Sequence, residues 1–386
     1  MTLPPSAPAL CLLADDMTGA LDSAVWFASP VAPVQVVWQP RPSAPGVPSG
    51  AAPSFAIDSG TREMPADAAA REVSRLVAAF PAGGAACHFL KLDSLLRGHV
   101  AADLAAWHAV RPFDHVILAP AFPALGRMTR GGRQYWRDGT EWVPTACDLV
   151  REIAAAGFAQ ALCRPGVAAP AGVSLWDAET DDDLRAVVAA GLRLSGEVLW
   201  CGCGGLAGAL AEALTGQAFA VAARPLRATA LARPVLGLFG TDHPVTLRQL
   251  AACDAALRVP AEVARVEAQW RAAGVALVRP ALPAGLARAE AAVRIAAAFT
   301  ALVTHLAPPA TLVVSGGETL HAVCRALGAD RLDLIGQIAP GIPRSILRGG
   351  PWDGVGVVSK SGAFGDADTL TRLLADVPSS AKGSHA

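Results

Sequence analysis

LCLLADDMTGALDSA, residues 10–24, decides how the rest of the chain is read. Five consecutive apolar residues (10–14) have the length and character of a strand buried on both faces. The run ends abruptly in Asp15-Asp16-Met17-Thr18-Gly19-Ala20-Leu21-Asp22, a polar, glycine-containing turn of the kind that opens a helix. Working outward, VQVVW (34–38), SFAID (54–58), CHFLKL (87–92), HVILAP (115–120) and EVLWC (197–201) have the same character. Longer amphipathic stretches such as 67–80 and 181–194 lie between them. This alternation predicts parallel sheets covered by helices. A second series begins with PVLGLFG (234–240) and continues through VALVRP (275–280), an Ala-rich helix over about 286–306, TLVVSGG (311–317) and GVGVVSK (354–360). Residues 215–234 between the two series contain no strong strand. The expected architecture is therefore two α/β/α domains with mainly parallel sheets, over 1–225 and 232–386, with an active-site cleft between them. The Pro-rich span 40–53 reads as an exposed loop and 379–386 as a frayed end.

Composition excludes several classes. In 386 residues, 53% are hydrophobic and 17% charged, which supplies ample core and argues against wholesale disorder. The formal net charge of −1 provides no field to draw the protein to nucleic acid or an anionic membrane. Mean hydropathy is positive, at +0.38. The longest uncharged stretch, 295–317, is nevertheless broken by His305 and Pro308-Pro309, and reads as a helix end, a turn and a buried strand. The N-terminus lacks the basic start and long apolar core of a secretory signal. Eight cysteines with no C-x-x-C pair suit buried thiols in a reducing compartment, so a soluble cytoplasmic protein is expected.

Open α/β sheets bind ligands beyond the carboxyl ends of their strands. Four strands here end in similar chemistry: Asp15-Asp16, then Asp58-Ser59-Gly60-Thr61-Arg62, then Lys91 and Asp93-Ser94-Leu95-Leu96-Arg97, then 121–127 with Arg127. Arginine pairs with carboxylates and aspartate accepts from hydroxyls, so this mixture suits an anionic, hydroxylated ligand; each Asp, Ser or Thr is also a capable helix cap. Asp15-Asp16-Met17-Thr18 approaches the D-x-D-x-[TV] pattern of haloacid dehalogenases. Its acids are adjacent rather than alternate, and adjacent residues at a strand end should point to opposite sides, which argues against a hydrolase of that type. In the second series, Ser315-Gly316-Gly317-Glu318-Thr319 and Lys360-Ser361-Gly362 with Gly365 form glycine-rich strand-to-helix turns suited to phosphate. No Walker A or G-x-G-x-x-G loop is present. No His/Cys spacing suggests zinc, and no G-x-S-x-G elbow suggests a serine hydrolase.

In order along the chain, LLADDMTGALDSA, AIDSGTR, KLDSLLRGH, PAFPALGRMTRGGRQYW, GCGGLAGAL, VVSGGETLHAV, IAPGIP and KSGAFGDAD resemble the four-carbon acid sugar kinase family, from about residue 10 to about 372. The resemblance implies an ATP- and Mg²⁺-dependent kinase that phosphorylates threonate, erythronate or 3-oxo-tetronate. It places the sugar acid on the N-terminal domain and the nucleotide on the C-terminal domain, and implies a homodimer. Carried over by position, Asp15, Asp58, Arg62, Lys91, Ser94 and Arg97 bind the acid, with Arg62 and Arg97 clamping its carboxylate. Asp16 or Asp93 acts as the base. Thr241, His243, Ser315, Gly316, Gly317, Glu318, Thr319, Lys360, Ser361, Gly362 and Gly365 serve the nucleotide, with Glu318 reaching the metal. Where the family has G-S-C-S-P-V-T, residues 240–246 read GTDHPVT; Leu95 and Ala363 replace a common Thr and Asn. A non-catalytic sugar-acid-binding relative is the alternative these departures suggest.

Overall fold

The computed structural model describes residues 9–38, 54–80, 86–216, 231–283, 285–339 and 341–375. The loop expected over 40–53 falls outside these residues. So do the C-terminal tail and most of the expected 215–234 boundary. The chain divides into two compact units, Met1–Val221 with Asp333–Gly336, and Ala222–Leu332 with Gln337–Ala386.

The first unit is built on eight parallel strands. They are β1 (Ala9–Ala14), β2 (Val34–Trp38), β3 (Phe55–Asp58), β4 (Ala86–Lys91) and β5 (His115–Ala119), then, beyond a small separate sheet, β9 (Gln160–Cys163), β10 (Gly172–Trp176) and β11 (Val198–Gly202). Their order is β2-β3-β1-β4-β11-β5-β10-β9, parallel at every pairing. Successive side chains alternate between the two faces. One face, including Cys11, Leu13, Phe55, Ile57, Leu90 and Leu199, forms a single core with Val73, Leu76 and Val77 of helix Ala66–Ala78 and Leu104 and Trp107 of helix Val100–Val110. Helices Met17–Ala24, Asp181–Gly191 and Gly204–Thr215 pack together as another group. The continuous apolar character of LCLLA and its relatives follows from this burial of both faces.

The small antiparallel sheet, β6 (Arg127–Arg130), β7 (Arg133–Asp138) and β8 (Glu141–Pro144), was not expected from the sequence. Its strands are too charged to give an apolar run. Its turns were visible all the same, as Gly131-Gly132 and Asp138-Gly139.

The second unit orders β13 (Arg258–Val259), β14 (Val275–Val278), β12 (Val235–Phe239), β15 (Thr311–Ser315) and β18 (Gly356–Lys360) in parallel, as β13-β14-β12-β15-β18. Strand β16 (Arg331–Ala339) precedes β17 (Ile342–Arg348), and β17 runs antiparallel to β18. The Ala-rich helix spans Arg288–Val303. All eight cysteines are free, and only Cys147 is more than slightly exposed. No described helix is long and apolar enough to cross a membrane.

Candidate functional sites on the two sheet edges

Register brings the first cluster together. Ala14 at the end of β1 stands opposite Asp58 of β3 on one side and Lys91 of β4 on the other, and Lys91 stands opposite Gly202 of β11. Four strands therefore stop side by side, and the residues after them share one edge, where ligands bind in such sheets.

Arg62 lies at the centre of this edge. Its Nε and Nη2 donate to the two oxygens of Asp15 at 2.8 and 2.6 Å, and its Nη1 donates to Asp16 Oδ2 at 2.6 Å. Nη2 also lies 3.7 Å from Asp93. Asp15 and Asp16 do not face opposite sides, as strand alternation alone would have them. β1 ends at Ala14, strand alternation no longer applies, and both carboxylates turn onto one guanidinium. Asp16 also caps helix Met17–Ala24, accepting from the Gly19 N–H at 2.7 Å. Capping and cluster membership, weighed as competing readings of the sequence, are both realised. Gly98, at φ +89°, completes the packing, since a Cβ there would lie 2.8 Å from Asp15 Oδ2.

Arg97 is held in a second fork, its Nε and Nη2 donating to Asp93 at 2.8 and 2.7 Å. Asp93 Oδ1 further accepts from the Leu95 and Arg97 backbone N–H groups. Burial alone would raise the Asp93 carboxyl, but the hydrogen bonds from Arg97 and the charges of Arg62 and Lys91 win and hold it well below the usual carboxylate range. Both arginines expected to clamp a ligand carboxylate are thus closed on aspartates. Lys91 is buried, and its Nζ donates to the Leu92 carbonyl at 2.8 Å. Ser94 is half-buried, and its carbonyl accepts from Gln134 of β7.

Burial pushes other carboxyls up. Asp58 is raised to about 7, with the charge of Asp16 adding to desolvation and the Gly60 N–H opposing it. Asp22 is raised to about 6 by burial, partly offset by Lys91. Asp103, on helix Val100–Val110, is raised to about 7 by burial with Asp15 adding, and its Oδ1 has no hydrogen-bond partner. The sequence reading missed Asp22 and Asp103 as members of this field. It also missed Gln134, which is fully buried, accepts from Thr129 and donates to the Ser94 and Pro120 carbonyls. Helical spacing from Asp15 could have drawn in Asp22; nothing local marks Asp103 or Gln134.

The second cluster forms the same way. Phe239 at the end of β12 stands opposite Ser315 of β15, and Ser315 opposite Lys360 of β18. Lys360 is buried, and its Nζ donates to Thr246 Oγ1 at 3.0 Å, Ser315 Oγ at 3.3 Å and the Ser361 carbonyl at 3.0 Å. Burial lowers this amine to about 8. Thr246 also donates to the Gly362 carbonyl at 2.8 Å. One turn later, buried Gln249 donates to the Phe364 and Asp366 carbonyls, fixing the loop after β18. Thr246 closes the 240–246 stretch that the sequence reading singled out, but it and Gln249 were not chosen as site residues; their i, i+3 spacing on a helix face was the available signal.

The expected nucleotide residues take different places. Gly316, at φ 107°, leads into helix Gly317–Ala326 with no side-chain cap, which leaves backbone N–H groups available at the helix start. Glu318 is exposed in the first turn, 3.8 Å from exposed Arg288. Thr319 is buried against Gly240, where a Cβ would overlap its hydroxyl. Thr241 Oγ1 accepts from the His243 N–H, and His243 Nδ1 accepts from the Val245 N–H, so the departures at 241–243 build a capped helix start before Pro244. Gly362 lies close under this start: a Cβ there would lie 2.7 Å from Thr241 Oγ1 and 3.1 Å from His243 Cβ. Ser361 and Gly365, the latter at φ +86°, belong to the loop that Gln249 holds. Among the described residues no group of three or more His, Cys, Asp or Glu side chains is arranged to hold a metal ion.

A sugar-binding N-terminal domain model matches residues 10–160, and a nucleotide-binding C-terminal domain model matches 206–370. The chain is 33% identical to a D-threonate kinase of Cupriavidus necator, over 93% of this chain and 95% of that one. It is 28% identical to a 3-oxo-tetronate kinase of Methylobacterium radiotolerans, over 95% and 98%. Among solved structures, a Haemophilus influenzae protein of family DUF1537 shares the fold with a TM-score of 0.67 at 19% identity, over 94% and 98% of the two chains. Identity at this level along nearly the full length of both chains, with both domain models matched in order, leads to one assignment: the chain belongs to the four-carbon acid sugar kinase family.

Proposed function

We propose that this chain transfers the γ-phosphoryl group of ATP to the terminal hydroxyl of a four-carbon sugar acid such as D-threonate. The first unit would hold the acid and the second the nucleotide. The observation that carries this reading is the contrast between the two edges. One gathers carboxylates and guanidinium groups after β1, β3 and β4; the other gathers a buried amine, hydroxyls and glycine-rich helix starts after β12, β15 and β18. The first suits a polyhydroxy acid and the second a polyphosphate.

In the reaction the substrate hydroxyl oxygen bonds to the γ-phosphorus, the bond from that phosphorus to the β-phosphate oxygen breaks, and the hydroxyl proton passes to a carboxylate. We assign that carboxylate to Asp16. Its side chain is 27% exposed, against 7% for Asp15 and 9% for Asp93. Asp93, saturated by donors and strongly acidic, acts by fixing Arg97. Asp15, Asp58, Lys91 and Ser94 line the acid's site. Lys360 stabilises charge on the phosphates, and the Gly316–Gly317 backbone receives them.

Mg²⁺ is commonly held by one or two carboxylates together with phosphate oxygens, and the exposed Glu318 fits as one such ligand. When bound, the ion neutralises phosphate charge. The regiochemistry is checked by phosphorus-coupled proton NMR of the product. Phosphate on the terminal carbon supports the reading, and phosphate on a secondary hydroxyl contradicts it.

A further inference from the structure

We propose that Arg127 takes the substrate's carboxylate and thereby selects a sugar acid over a neutral polyol. The proposal rests on the kinase reading above and deepens it at one residue.

Three guanidinium groups share the electrostatic field of the first edge, and two are already occupied. Arg62 spends Nε, Nη1 and Nη2 on Asp15 and Asp16, and Arg97 spends Nε and Nη2 on Asp93. A ligand carboxylate meeting Arg62, or the Nε–Nη2 edge of Arg97, would have to displace an aspartate already held there. Arg127 differs. Its Nη1 donates to the Leu125 carbonyl in its own turn. Its Nε is buried with no hydrogen-bond partner, and no ion pair joins it to a carboxylate among the described residues. It joins the same edge through its sheet: β6, which it opens, pairs with β7, and Gln134 of β7 donates to the Ser94 carbonyl in the loop that holds Asp93 and Arg97.

Its place in the fold explains this. β5 ends beside β11, with Ala119 opposite Gly202, and Gly202 is itself opposite Lys91. The chain leaving β5 makes the single turn Pro123–Leu125, passes through Gly126 at φ +66°, and enters β6 at Arg127. The Arg127 backbone is fixed on both sides, its N–H donating to the Phe122 carbonyl at 3.1 Å and its carbonyl accepting from the Phe122 N–H at 2.9 Å. Gln134 anchors the same small sheet to the Ser94 loop. The side chain therefore projects from a rigid mount. A buried N–H without a partner and a guanidinium without a counter-ion are both unfavourable, and a carboxylate relieves both at once by accepting along one edge of the guanidinium.

The test uses the full chain with Arg127→Gln and Arg127→Lys, reading steady-state constants for D-threonate and ATP, turnover of the neutral analogue threitol, and D-threonate binding by calorimetry. In R127Q the KM for the acid should rise about 100-fold while kcat and the KM for ATP stay within about threefold. The preference for acid over threitol should fall by a similar factor, and R127K should recover part of the loss. An unchanged acid KM, or equal losses with acid and threitol, overturns the proposal. If R127Q does not fold, R127K alone decides by the same split. If the wild type turns over no four-carbon acid, the kinase reading fails separately and calorimetry decides Arg127. Acid binding lost only in the variants supports it; equal binding, or none by the wild type, overturns it.

Discussion

Replacing Arg62 by methionine should lower the unfolding free energy by about 3–5 kcal/mol, the cost of removing one partner from a buried charge cluster. Charge balance at a single point sets this cost. Arg62 is 13% exposed and compensates Asp15 at 7% and Asp16 at 27%, with Asp93 3.7 Å away. Without it, three neighbouring carboxylates face one another with Lys91 and Arg97 as their nearest cations. Burial already raises the proton affinity of Asp15 against the opposing pull of Arg62, and without Arg62 it should rise further above its unfolded-state value. The deficit of the variant should accordingly be small near pH 4 and grow as pH rises toward 7, because stability is lost wherever the unfolded chain releases protons that the folded one retains. Adding Asp15→Asn to Arg62→Met should recover a large part of the loss, since deleting both partners leaves no orphaned charge. Urea unfolding of the wild type, R62M and the double variant at pH 4.5 and 7 measures this. A loss below about 1 kcal/mol at pH 7 would place Arg62 among ordinary surface pairs and contradict its central role.

Lys360→Met should weaken nucleotide binding about 100-fold at pH 7 and remove its pH dependence above neutrality. In the free protein, burial lowers this amine from 10.5 to about 8 while two hydroxyls and a carbonyl hold it in place. Ionised Lys360 therefore costs stability below pH 8, and that cost is relieved as pH rises from 8 toward 10.5. A bound triphosphate reverses the preference by pairing with the ammonium form. Nucleotide affinity should thus fall as pH rises through about 8, and binding near pH 8.5 should take up a proton. Calorimetry in buffers of different ionisation enthalpy reads the uptake directly. Uptake in the wild type and none in K360M is the expected pair of results; equal uptake in both assigns the proton elsewhere.

What the sequence made legible follows from the burial of the sheets. Strands covered on both faces must be apolar throughout, so β1, β3, β4, β5, β12, β15 and β18 stand out as runs, and the polar residues just after them mark the edges where charged and hydroxyl side chains gather. What remained hidden depends on which strand lies beside which. Only the order β3-β1-β4 sets the Arg62 loop over Asp15 and Asp16, and no spacing along the chain encodes that pairing. Arg62 and Arg97 consequently look like ligand clamps in the sequence and prove to be held by their own aspartates. Arg127 was read among the strand-end residues but not chosen for the site, because its distinction is an unpartnered Nε that no sequence pattern reveals. The β6–β8 sheet escaped for the opposite reason: its strands are short and charged, and only their glycine turns announce them.

The most direct test of the kinase assignment is ADP release by the full-length chain supplied with ATP, Mg²⁺ and, one at a time, D-threonate, D-erythronate and 3-oxo-tetronate. The account predicts ADP formation that requires one of these acids and is matched mole for mole by a phosphorylated acid. ADP release no greater with any of them than with ATP alone would contradict it.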